Sequence, residues 1–109
     1  LDGAILDYTQ ALQLNPKYIQ AWNNRGVARM AKGDLDGAIA DFNRALELDP
    51  KHVRAWGNRG NARRAKGDLL GAIADWGQVL KLAPNHPQAP GLRAEIKKMR
   101  AHLEKQKEK

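Results

Sequence analysis

Cysteine is absent from the 109 residues, which removes disulfide scaffolds, thiolate metal sites and cysteine nucleophiles in one step. Serine is absent too, and Thr9 is the only threonine, so a hydroxyl nucleophile is nearly excluded. No apolar run approaches the roughly 18 residues that a membrane span needs; uninterrupted apolar stretches are as short as Gly37-Ala38-Ile39-Ala40. The glycines never form GxGxxG, or GxxxxGK followed by Ser or Thr, so a phosphate-cradling loop is missing as well. His52 and His86 occupy equivalent places in two copies of a repeated unit. That recurrence reflects repetition and not a ligand pair, and a metal held through them would need carboxylates close by. The close carboxylate pair Asp34 and Asp36 lies beside a helix start, where capping accounts for it. Together these absences point to a chain that is not an enzyme and that uses no metal or cofactor.

What the sequence has in abundance is repetition and positive charge. Lys and Arg number 19 against 12 Asp and Glu, a formal net charge of +7. Apolar residues make up 42% and charged residues 28%, an ordinary globular balance that argues against wholesale disorder. The shift that lays Pro16 on Pro50, and Pro50 on Pro84, also aligns Trp22 with Trp56, Gly26 with Gly60 and Gly33-Asp34 with Gly67-Asp68. Residues 19–52 and 53–86 are identical at 21 of 34 positions. The chain therefore divides into a half repeat (1–18), two whole repeats (19–52 and 53–86) and a tail (87–109).

Each whole repeat reads as two helices, because helix formers dominate and no segment alternates with period two. The first helix spans about Gln20 to Lys32, and again Arg54 to Lys66. Gly33 and Gly67 suit a left-handed position after a helix, and the Asp that follows can cap the next one. Ala38, Phe42, Ala45 and Leu46 form one apolar stripe. Pro50 and Pro84 stop the second helix, having no amide proton to donate.

Trp22, Gly26, Gly33, Ala38, Phe42, Ala45 and Pro50 resemble the signature of the tetratricopeptide repeat, and Trp56, Gly60, Gly67, Ala72, Trp76 and Pro84 resemble it again. Val79 stands where the pattern has a small Ala. The resemblance covers about residues 1–86 and implies an all-α fold, a right-handed α-solenoid of antiparallel helix-turn-helix repeats, with 1–18 as the second helix of a truncated repeat. The chain opens on Leu1 in mid-repeat and so reads as excised or processed. Gly26 and Ala38 are small where two helices approach, the aromatics fill the wedge between them, and proline sets the corner into the next repeat. Arg25, Arg29, Arg59 and Arg63 depart from the family's Leu and Tyr at positions facing the paired helix, so they need partners. Asp7, Asp41 and Asp75 recur at the same period as candidate partners; Arg29 over Phe42 and Arg63 over Trp76 could add cation–π contacts.

The tail carries Leu92, Ile96, Met99 and Leu103 on one helical stripe, with Arg93, Lys97, Lys98, Lys105 and Lys107 opposite. It is expected to cap the array with a polar outer face and to fray over Lys105–Lys109. Residues 93–109 hold seven basic and three acidic groups, +4, leaving 12 basic and nine acidic, +3, for 1–92.

The resemblance places a concave groove on the first helices. Its positions fall on Gln20, Asn23, Asn24, Val27, Met30 and Ala31, then on Arg54, Gly57, Asn58, Asn61, Arg64 and Ala65. Asn24 and Asn58 can each donate and accept, which suits the main chain of an extended peptide. Residues 19–32 carry three basic groups and 53–66 carry five, with no acid in either. Arg54 and Arg64 are the groove arginines expected to be free for a carboxylate, with Val27 and Met30 as an apolar patch. One subclass of the family clamps chaperone tails with Lys, Asn, Asn, Lys and Arg; Asn24 and Arg54 fit two of those positions, while Asn58 stands where Arg is wanted. These features point to a protein-interaction scaffold for an extended acidic peptide. Nucleic acid or an anionic surface is the alternative, disfavoured because the basic segments lack interleaved aromatics. Self-association through residues 1–18 is a third. The compartment is left open, a soluble cytoplasmic chain being the default.

Overall fold

The computed structural model describes residues 1–108. Among the described residues six helices follow one another: α1 (Asp2–Leu14), α2 (Ile19–Ala31), α3 (Leu35–Leu48), α4 (Val53–Ala65), α5 (Leu69–Leu82) and α6 (Ala89–Lys107). No strand occurs among the described residues. The helices stack into an all-α helical-repeat solenoid measuring 50 × 30 × 21 Å.

The punctuation acts where the sequence places it. Gly33 and Gly67 adopt φ of 93° and 87°, a left-handed backbone that side-chain-bearing residues resist. Asp34 then accepts the Gly37 N–H at 3.0 Å and Asp68 the Gly71 N–H at 2.9 Å, each satisfying a helix-start donor. Helix α3 ends at Leu48, its C-cap Asp49 being extended as a residue before proline prefers. His52 accepts the Ala55 N–H at 3.1 Å and His86 the Gln88 N–H at 3.1 Å, so both histidines serve the corners between helices.

Packing follows the small residues. Phe42, Ala38 and Ala62 are fully buried together, with Met30 and Ile39 against them. A Cβ on Gly26 would lie 2.5 Å from the Phe42 ring, and one on Gly60 would lie 2.5 Å from Trp76 Nε1. Only glycine permits these approaches. Phe42 and Trp76 thus fill the wedges. Trp22 and Trp56 do otherwise: their indole N–H groups donate to the Pro16 and Pro50 carbonyls at 2.7 Å and tie down the corners.

Helix α6 covers the far end, where Ile96 and Met99 pack with Ala72, Ile73 and Trp76, flanked by Leu92 and Leu103. It remains helical through Lys107 instead of fraying from Lys105; Lys109 lies outside the described residues. At the near end, Ala4, Tyr8 and Ala11 are only half-buried, whereas their equivalents Ala38, Phe42 and Ala45 are 0% exposed. Neighbouring repeats are laced by Lys32 to Asp2 and Lys66 to Asp36. The Lys32 ammonium, hydrogen-bonded to Asp2, holds that exposed carboxyl below the usual carboxylate range. Among the described residues no helix is long and apolar enough to cross a membrane.

Candidate functional site

The arginines facing the second helices are committed to carboxylates. Asp41, 1% exposed, accepts from Arg25 Nη2 at 2.8 Å and Nε at 3.0 Å, and from Arg29 Nη1 at 3.1 Å. Asp75 repeats the arrangement with Arg59 at 2.8 and 3.0 Å and Arg63 at 3.1 Å. A bidentate pair plus a second guanidinium satisfies a buried carboxylate that would otherwise be costly. Asp7 does not take this part: it is exposed and forms no ion pair among the described residues. Arg25 instead donates to Thr9 Oγ1 at 3.1 Å, and Arg59 to Asn43 Oδ1 at 2.8 Å. The cation–π contacts are also different from those expected. Arg25 lies over Trp22 at 5.0 Å and Arg59 over Trp56 at 4.9 Å, because the carboxylates draw Arg29 and Arg63 away from Phe42 and Trp76.

With those groups spent, the groove presents amides and an uncommitted cation. A cavity of about 460 Å³ is lined by Asn23, Asn24 and Val27 from α2 and by Arg54, Asn58 and Asn61 from α4. Asn58 Nδ2 donates to Asn23 Oδ1 at 3.1 Å, which links the two helices across the groove floor. Arg54 is exposed and, among the described residues, enters no salt bridge. Among the described residues, no Asp or Glu lines this cavity.

Five expected groove residues, Gln20, Met30, Ala31, Arg64 and Ala65, lie outside this lining. Gln20 is exposed at the start of α2, while Met30 packs toward Phe42. Arg64 lines an adjoining cavity of about 570 Å³ and is not free. Its Nη2 lies 3.5 Å from Glu95 on α6, and its guanidinium sits 5.9 Å from the Trp76 ring centroid. The periodicity of the first helices also misses the groove's other wall, built by Trp76, Val79, His86, Gln88 and Leu92. A signal for part of it exists, since Gln88 and Leu92 stand one full repeat after Arg54 and Asn58: the tail keeps the repeat register.

Models of the tetratricopeptide repeat match residues 19–52 and 42–74, and a TPR repeat model matches 1–33. The first TPR domain of Spaghetti (RPAP3), bound to the HSP90 peptide SRMEEVD, is similar over 94% of this chain and 79% of its own, with 31% identity and a TM-score of 0.85. The chain belongs to the tetratricopeptide-repeat family. The second TPR domain of human RPAP3, in complex with the HSP70 peptide SGPTIEEVD, is 30% identical with a TM-score of 0.78, covering 85% of this chain and 78% of its own. The Arabidopsis OM64 TPR domain is 29% identical with a TM-score of 0.81, covering 86% and 78%. No protein of curated function matches the chain significantly in sequence. This tetratricopeptide-repeat chain is a protein-interaction scaffold.

Proposed function

We propose that the groove binds an extended acidic peptide and performs no catalysis. The observation that carries this reading is the lining of the 460 Å³ cavity: several amides, the uncommitted guanidinium of Arg54 and, among the described residues, no carboxylate. Arg54 holds a peptide carboxylate, a charge-assisted contact stronger than a neutral hydrogen bond. Asn24, Asn58 and Asn61 grip the peptide main chain, each amide offering donors and acceptors. Val27 and Val79, which also border the cavity, receive an apolar side chain beside the acid. Two similar TPR domains hold peptides ending in Glu-Glu-Val-Asp, which supports the class of ligand. Burial of four arginines against Asp41 and Asp75 removes much of the basic surface that a nucleic acid would use.

The test is fluorescence anisotropy with labelled SRMEEVD peptide. Arg54→Ala weakens binding about tenfold, the loss of one charge-assisted hydrogen bond. A peptide with Gln for both Glu and Asn for Asp, amidated at its end, binds far more weakly. Equal binding of the two peptides, or indifference to Arg54→Ala, refutes the reading.

A further inference from the structure

The whole repeats differ at only a minority of positions, and two of the differences meet at one place. One repeat further along the chain, Val27 and Met30 become Asn61 and Arg64, so two apolar groups become two hydrogen-bond donors. Asn61 and Arg64 border the second cavity, of about 570 Å³, together with Trp76, Gln88 and Glu95. Arg64 lies over the Trp76 ring at 5.9 Å, which holds its guanidinium in position while leaving an edge for hydrogen bonding.

Glu95 is an ill-satisfied neighbour of that guanidinium. Among the described residues its buried Oε2 has no hydrogen-bond partner, and Arg64 Nη2 stands 3.5 Å away. A charge-assisted N–H···O bond closes to about 2.7–2.9 Å. Arg59 and Asp75 reach 2.8 Å within the same molecule. Glu95 has therefore given up water at one oxygen without gaining the contact that would compensate for it. Its side chain is 36% exposed, so it has room to turn outward into solvent.

We infer that this second cavity is a carboxylate subsite of the groove, occupied at rest by Glu95 and filled on binding by a carboxylate of the peptide. The inference rests on the acidic-peptide reading above. An incoming carboxylate meets Arg64 in bidentate geometry, with the Asn61 amide beside it, and Glu95 moves to water. Glu95 thus acts as an internal competitor that sets the threshold for acidic ligands. The shared chemistry is a carboxylate, supplied by an Asp or Glu side chain or by a peptide carboxyl-terminus.

Anisotropy with labelled SRMEEVD on the full chain tests this. Glu95→Gln removes the competitor's charge at constant shape and tightens binding about tenfold; Arg64→Gln weakens it, and Arg64→Gln with Glu95→Gln shows no gain over Arg64→Gln alone. If amidation of the peptide end abolishes the gain, the carboxyl-terminus is the guest. If Gln and Asn replacements of the peptide's acidic side chains abolish it, a side chain is. A gain that persists with a peptide lacking every carboxylate, or that survives loss of Arg64, overturns the subsite. Binding by the native chain that Glu95→Gln leaves unchanged or weakens also overturns it, with the groove reading intact. Absence of binding by every variant refutes both.

Discussion

Asp41 and Asp75 are each held by two arginines, and removing the acid differs sharply from removing one base. Without Asp75, the partly buried Arg59 loses its carboxylate and Arg63 keeps only a 3.9 Å approach to the exposed Asp68. Asp75→Ala is therefore expected to cost about 3 kcal/mol, read from urea denaturation. Arg63→Leu leaves the bidentate Arg59 pair in place and removes a side chain that is already 26% exposed; its cost stays below about 1 kcal/mol. Replacing all three groups with apolar side chains returns stability to the native value or above it. Equal losses for Asp75→Ala and Arg63→Leu would sink this account. The recurrence of Asp and Arg is legible in the sequence; that Asp7 stays outside the pairing is not. The pairing runs from each Asp to arginines 16 and 12 residues earlier, on the first helix of the same repeat, whereas Asp7 has no ion-pair partner among the described residues.

Helix meets helix here through glycine, and the same substitution is expected to have opposite signs at two sites. Ala is the better helix former by about 1 kcal/mol. At Gly77, in the middle of α5, a Cβ meets nothing within 4 Å, so Gly77→Ala stabilises by up to that amount. At Gly60 the Cβ would sit 2.5 Å from Trp76 Nε1 and 3.2 Å from Asp75 Cβ, and overpacking of about 2 kcal/mol outweighs the propensity gain. Thermal unfolding followed by circular dichroism separates the two; a stabilising Gly60→Ala would show that the wedge is loose. Helix limits were readable from Gly-Asp and proline because those signals are local. The task of Trp22 and Trp56 was not, since a hydrogen bond to the carbonyl of a preceding proline leaves no mark in hydrophobic periodicity.

Across the whole molecule, α6 both seals the core and furnishes the groove's far wall. Ending the chain after Gln88 uncovers Ala72, Ile73 and Trp76, the last only 2% exposed in the intact chain. A melting temperature lower by at least about 10 °C is expected, together with dye binding to the bared surface; a change of a degree or two would mean that the repeats stand without their cap. The wall on α2 and α4 was legible because its residues repeat. The wall on α5 and α6 was not, because the tail reads first as a cap, and Glu95 meets Arg64 across a spacing that falls short of the repeat period. The three tryptophans, finally, mark three places along the array: Trp22 and Trp56 at successive proline corners, Trp76 beneath the last helix. Each indole thus has its own surroundings. Fluorescence of single-tryptophan variants would report the order in which layers come apart, giving the chain a built-in ruler for the direction in which it unravels.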